Sequence, residues 1–206
     1  MDAARTKFVV GLGNPERKYV GTRHNVGFAV LDALIGQGQF SGGKSRFHSL
    51  CWSGTLRGCP VVLAAPQTYM NRSGLAVAEL MAFYKAEPSD LLVVQDDLAL
   101  PLGRLRARSS GSAGGHNGMA DILAALGRMD VGRLRVGIGS PGPQMDQVAY
   151  VLGRFAPDEE PVMQEAIVRA ARAAGDWVEK GITYIMDRYN QDANDVGNSK
   201  GNGNER

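Results

Sequence analysis

The chain has 206 residues, enough for one sizeable domain, and its 44% hydrophobic and 21% charged content excludes wholesale disorder. Lys and Arg number 23 against 21 Asp and Glu, a formal net charge of +2 that neither demands nor excludes a polyanionic partner. The charge is uneven: residues 1–57 carry eight basic and three acidic side chains, whereas residues 158–195 carry nine acidic against four basic. Glycine, at 27 residues, exceeds the usual share of ~7%.

The apolar run Phe8-Val9-Val10 is too short for an export signal. The longest uncharged stretch, 58–71, contains Pro60 and Pro66 and falls short of the roughly 20 apolar residues of a membrane span. A cytoplasmic protein is expected, with Cys51 and Cys59 as free thiols although a hairpin could bring them together.

Residues 6–12 form an apolar run that breaks at Gly11-Leu12-Gly13-Asn14-Pro15, the pattern of a buried strand entering a turn. Val26, Ala29, Val30, Leu31, Leu34 and Ile35 follow at helical spacing and stop at Gly36-Gln37-Gly38. Residues 38–45 read as a flexible loop. Beyond it, 45–53 and 60–65 read as a strand hairpin turning at 54–58. Helices are predicted over 73–85, 117–126 and 158–180, and strands over 91–94, 104–108 and 133–138. Strands alternate with helices while two neighbouring strands form a hairpin, so the fold class is α/β with a mixed sheet. The tail, 191–206, is rich in Asn, Asp, Gly and Ser and is expected to be disordered, as are residues 1–5.

Two nucleotide-binding patterns fail on context. Gly38 to Ser45 fits G-x-x-x-x-G-K-[ST] letter for letter, but a helix precedes it and a strand follows, the reverse of what a phosphate loop needs. Gly11-Leu12-Gly13 opens like a dinucleotide fingerprint, yet Glu16 holds the third glycine position and would repel a pyrophosphate. His24, His48 and His116 lie far apart in the sequence and the cysteines lie on predicted strands, so no metal site is expected.

Four polar segments sit at loop ends beside strands, where α/β folds place their sites. They are Asn14 through Asn25, Pro66 through Gly74, Gln95-Asp96-Asp97, and Ser110 through Gly118. Together they offer an imidazole that can take a proton from water near neutral pH and a carboxylate to fix its tautomer. Their asparagines can position a water or an oxyanion without adding charge. No Gly-x-Ser-x-Gly elbow suggests an acyl-enzyme. The chemistry is that of a hydrolase without a covalent nucleophile.

At these residues the sequence resembles bacterial-type peptidyl-tRNA hydrolases. The resemblance runs through Gly11-Leu-Gly-Asn-Pro, Tyr19, Thr22-Arg-His-Asn25 and Gly27-Phe28. It continues through Thr68-Tyr-Met-Asn71, Ser73-Gly74, Asp96-Asp97-Leu98, Gly114-Gly-His-Asn-Gly118 and Arg133-Leu-Arg-Val-Gly-Ile-Gly139. It covers roughly 6–190 and implies a single-domain, three-layer αβα fold with a mixed, twisted central sheet. The implied activity is hydrolysis of the ester joining a peptide to the 3′ end of tRNA, by a monomer without metal or cofactor. His24 would be the general base, Asp96 its orienting carboxylate, and Asn71 a holder of His24 or the water. Asn14 and Asn117 would bind the substrate, Met70 and His116 would line the cleft, and Tyr19 would support it.

Arg104, Arg106 and Arg108 alternate on one strand, and Arg133 and Arg135 repeat the alternation. Solvated sheet edges use charge in this way. However, the choice of Arg and the adjacent glycine-rich segment favour phosphate contact, and the resemblance places tRNA phosphate at Arg108 and Arg135, with Arg106 and Arg133 beside them. The basic N-terminal and middle portions would then form an RNA-facing side and the acidic last helix a solvent-facing one. Departures from the family pattern stand at Glu16, Gln95, Ala99, Ser110, Ser112 and Ala113. A non-catalytic RNA-binding member of the family is the rival reading; it would not need His24, Asp96 and the three asparagines together.

Overall fold

The computed structural model of the protein describes residues 5–191. The ends expected to be disordered fall almost wholly outside that range. Seven strands form one sheet in the order β2-β3-β4-β1-β5-β7-β6. In chain order the strands are β1 (Lys7–Gly11), β2 (Gln39–Arg46), β3 (Ser49–Leu56), β4 (Cys59–Pro66), β5 (Leu91–Asp97), β6 (Leu105–Arg108) and β7 (Gly132–Gly137). The helices are α1 (Val26–Ile35), α2 (Ser73–Tyr84), α3 (Asn117–Leu126), α4 (Gln147–Leu152) and α5 (Glu160–Tyr189).

The sheet is mixed, as expected. Strand β1 runs parallel to β4 and β5, and β5 parallel to β7, while β2, β3 and β4 form an antiparallel meander and β6 is antiparallel to β7. All seven residues of β5 are buried, as suits a central strand covered on both faces. Val26, Val30, Leu31 and Leu34 of α1 pack with Met163, Ala170 and Trp177 of α5 over one face. Val77, Leu80 and Met81 of α2 pack with Met119, Ile122 and Leu123 of α3 over the other. The result is three layers. Among the described residues no helix is long and apolar enough to cross a membrane.

Three expectations are corrected. The stretch 38–45, read as a loop, is mostly the edge strand β2, and the expected 45–53 strand is interrupted by a turn at Phe47 and His48, both with positive φ. The last helix does not stop at Lys180. It breaks at Gly181, whose φ of 80° favours glycine, and continues to Tyr189. Cys51 and Cys59 are free thiols, as expected, since the register of β3 and β4 sets Cys51 opposite Ala64 and Cys59 opposite Leu56.

One packing detail positions the site. Helix α1 crosses the end of β1 so closely that a Cβ on Gly11 would lie 2.3 Å from the Gly27 carbonyl oxygen, and one on Gly27 would lie 2.3 Å from the Leu12 nitrogen. The pair of glycines lets the turn before α1 sit directly over the carboxyl ends of β1 and β5. The chain leaving β1 enters α1 on one face of the sheet, whereas the chain leaving its neighbour β4 enters α2 on the other. Ligand sites in open α/β sheets form at such switch points.

Candidate active site

Asp96 stands near the end of β5, 3% exposed, and accepts from two imidazoles. His24 belongs to the one-turn 3₁₀ helix Arg23–Asn25, and its Nδ1 lies 2.9 and 3.0 Å from the two Asp96 oxygens. His116 is the N-cap of α3, with Nε2 2.9 Å from Asp96 Oδ1, and its ring centroid is 5.0 Å from that of His24. Burial alone would raise the Asp96 pKa. The facing His116 and the hydrogen bonds from both rings outweigh it and hold the carboxyl well below the usual carboxylate range.

These bonds fix the tautomers. A carboxylate only accepts, so His24 carries its proton on Nδ1 and leaves Nε2 as the basic lone pair. The Met119 backbone N–H donates to His116 Nδ1 at 3.3 Å, so the neutral His116 ring carries its proton on Nε2 and gives it to Asp96. The sequence did not place these histidines together, and in space His24, Asp96 and His116 are grouped closely enough to consider a cation. The donor set does not fit one. A neutral histidine that binds metal through Nε2 donates through Nδ1, whereas Nδ1 of His116 is occupied as an acceptor.

Asn14 joins two loops. Its backbone N–H donates to Asn25 Oδ1 at 2.9 Å, and Asn25 Nδ2 returns a bond to its carbonyl at 2.9 Å. Its own Oδ1 accepts from the Met70 N–H at 2.9 Å. With that oxygen committed, the Nδ2 hydrogens are left for a ligand. Met70 is buried, and Gly118 approaches it so closely that a Cβ there would lie 2.5 Å from Met70 Sδ.

Other expected residues are placed differently. Asn71 and Asn117 are exposed at the rim, and among the described residues Asp96, not Asn71, holds His24. Tyr19 is half-buried and engages Thr22 through its carbonyl, which accepts from the Thr22 hydroxyl at 2.7 Å. The residues missed from the sequence are Arg23, Asn25 and Asp97. Arg23 and Asn25 could have been found from their place in the Thr22-Arg-His-Asn25 run, and Asp97 from the Asp96-Asp97-Leu98 motif.

The arginines share one sheet face, since Arg106 pairs with Arg135 and Arg108 with Arg133 across β6 and β7. Their roles diverge. Arg108 and Arg135 line a small cavity of about 190 Å³ with Gln95 and the Ser110–Gly114 loop, and Arg135 forms an ion pair with Asp97. Arg106 lines the groove between β6 and α5 with Arg169. Arg133 lines the same cavity as Arg108 and Arg135, from a buried position. It is 2% exposed and donates to the carbonyls of Val131, Ser112 and Met129, which fastens the loop.

The peptidyl-tRNA hydrolase family profile matches residues 8–197. The chain belongs to the peptidyl-tRNA hydrolase family. A peptidyl-tRNA hydrolase of Synechocystis sp. is 47% identical over 185 residues, 89% of this chain and 95% of that protein. One from Halalkalibacterium halodurans is 45% identical over 184 residues, covering 89% of this chain and 100% of that one. The crystal structure of the peptidyl-tRNA hydrolase from Acinetobacter baumannii is similar with a TM-score of 0.84 at 34% identity, covering 92% of this chain and 97% of that one.

Two departures from the peptidyl-tRNA hydrolase pattern have structural consequences. Glu16 pairs with Lys18 Nζ at 2.9 Å and with the Tyr69 hydroxyl. The Lys18 bond first, and the Tyr69 bond second, lower its carboxyl pKa. It thereby links the two loops that Asn14 already joins. Gln95 buries its Oε1 without a partner among the described residues, beside the Arg108 and Arg135 cavity.

Proposed function

We propose that the chain hydrolyses the ester between the peptide and the 3′ end of tRNA in peptidyl-tRNA, in the cytoplasm and without metal or covalent intermediate. The observation that carries this reading is the His24 tautomer: Nδ1–H bound to Asp96 leaves Nε2 free to take a proton. Water attacks the ester carbonyl as Nε2 removes its proton. The oxyanion that forms is met by a neutral donor, Asn14 Nδ2. Collapse breaks the bond to the ribose 3′ oxygen, which takes the proton from the His24 imidazolium and leaves as a hydroxyl. Asp96 stabilises that imidazolium and stays ionised throughout. Arg135 pairs with Asp97, the residue after Asp96, and Arg108 lines the same cavity as Arg135, where the tRNA phosphates would meet both. The scheme needs no group from a second chain, and we read the protein as a monomer.

The test is release of the N-acetyl-amino acid from purified N-acetyl-aminoacyl-tRNA by the full chain, with free aminoacyl-tRNA as control. Turnover of the blocked substrate is expected. Tight tRNA binding without release would instead establish an RNA-binding member of the family.

A further inference from the structure

Arg23 is a buried cation beside the base, and the reaction does not use it. It is 7% exposed; its Nη1 donates to the Arg154 carbonyl at 2.5 Å and its Nη2 to Glu159 Oε2 at 2.5 Å. The guanidinium lies 4.2 Å from the ring centroid of Tyr150 and 5.1 Å from that of Phe155. Its Nε has no hydrogen-bond partner among the described residues, so the two ring faces complete its surroundings. The backbone reinforces the contact. Arg23 N–H donates to the Gly153 carbonyl at 3.0 Å, and Thr22 forms an isolated β-bridge with Arg154.

Tyr150 carries the connection onward. Its hydroxyl donates to the Ile138 carbonyl at 2.8 Å, just past the end of β7, and the Ile138 N–H donates to the Asp97 carbonyl at 3.1 Å. Asp97 is bonded to Asp96, and Asp96 accepts from His24, the residue after Arg23. The path closes on itself.

We propose that Arg23 and Tyr150 are positioning residues that form a second bracket, holding the His24 turn at a fixed separation from the end of β5. This rests on reading His24 as the base. The need for it is physical. The direct His24–Asp96 bonds fix one edge of the ring, while the turn that carries the ring is three residues long and must keep Nε2 aimed at the water. Misplacement of a catalytic group by ~1 Å costs about 10²-fold in rate. A bare arginine next to His24 would oppose formation of the imidazolium. Glu159 neutralises Arg23, so the bracket can stand beside the base without doing so.

The test uses the full chain. Tyr150→Phe removes only the tether to Ile138, and Arg23→Lys keeps the charge opposite Glu159 but loses the planar face between the rings. Each variant is expected to lower kcat on N-acetyl-aminoacyl-tRNA about three- to tenfold with KM within about twofold. The double variant should be no slower than the slower single, because both substitutions open the same bracket. The His24 Nδ1 proton resonance, read without substrate, should shift or broaden in each. Wild-type kcat in both singles, multiplied losses in the double, or an unchanged His24 resonance would overturn the proposal. So would a lower melting temperature alone. Failure of the wild-type chain to release peptide would instead overturn the proposed function, and the resonance would still report on the bracket.

Discussion

Asp96 accepts an N–H from each of two imidazoles, and the two rings are left in different states. His24 has a free Nε2, whereas both nitrogens of His116 are engaged. His24→Ala therefore removes the base and is expected to lower kcat about 10²- to 10⁴-fold, with tRNA affinity retained in a filter-binding assay. Unchanged turnover would remove His24 from the mechanism. Asn14 offers a sharper test of the oxyanion side. Asn14→Asp keeps an oxygen for the Met70 N–H but replaces the Nδ2 donor with a second acceptor. Single-turnover rates should fall about 10²- to 10³-fold, the cost of losing one oxyanion donor; a rate near that of the wild type would place the oxyanion elsewhere. The depressed pKa of Asp96 means that it stays charged through the neutral range. Its share of stability is present above about pH 4 and is lost as acid protonates it, so it does not shape the neutral pH profile of the rate.

At the level of elements, β6 and β7 separate arginines that their spacing in the sequence made equivalent. All three of Arg108, Arg133 and Arg135 line the cavity, but Arg133 is buried and spends its donors on three carbonyls. Arg108→Ala and Arg135→Ala should each weaken tRNA binding and reduce the slope of log affinity against log salt by about one unit. Arg133→Ala should leave that slope unchanged and cost about 2 kcal/mol in chemical denaturation, because the buried Val131 carbonyl loses its guanidinium partner and the loop at Ser112 its tie. A reduced slope for Arg133→Ala would reverse this assignment. The alternation of arginines was legible; the fate of each was not, since burial depends on the loop folded above the sheet. Strand β2 was hidden for a related reason. Gln39–Arg46 is almost wholly exposed and contains Gly42 and Gly43, so no apolar period marks it, and only pairing with β3 makes it a strand. The central strands and α1 were readable from their apolar runs because they are covered. His24 and Asp96 lie 72 residues apart, and no local pattern joins them. Only the long motifs shared with the family brought them together.

Over the whole molecule, the division into a basic N-terminal side and an acidic last helix dissolves into internal pairing. Among the described residues, five of the eight basic residues in 1–57 are in ion pairs: Arg5 and Lys7 with Asp90, Lys18 with Glu16, Arg23 with Glu159, and Arg57 with Asp176 and Glu179. Two of these pairs, Arg23 with Glu159 and Arg57 with Asp176, tie the first half of the chain to α5 and the turn before it, and the arginines of β6 and β7, Arg135 among them although it pairs with Asp97, are the charges proposed for phosphate. Asp176 is the centre of the largest of these links. It pairs with Arg57, next to the end of β3, and accepts from the Tyr189 hydroxyl near the end of α5 at 2.5 Å. Burial, and then the bond to Asp176, push the Tyr189 hydroxyl up to about 12 from an ordinary 10. The folded state therefore holds this proton more tightly than the unfolded chain. Its contribution is fully present below about pH 10, falls as the unfolded chain ionises first, and is exhausted as the pH passes about 12. Tyr189→Phe should cost about 2 kcal/mol at neutral pH and flatten that decline. Urea unfolding of both proteins from pH 8 to 12 measures it: the two stability curves should converge above about pH 10. Curves that stay parallel would mean that the bond to Asp176 does not secure α5.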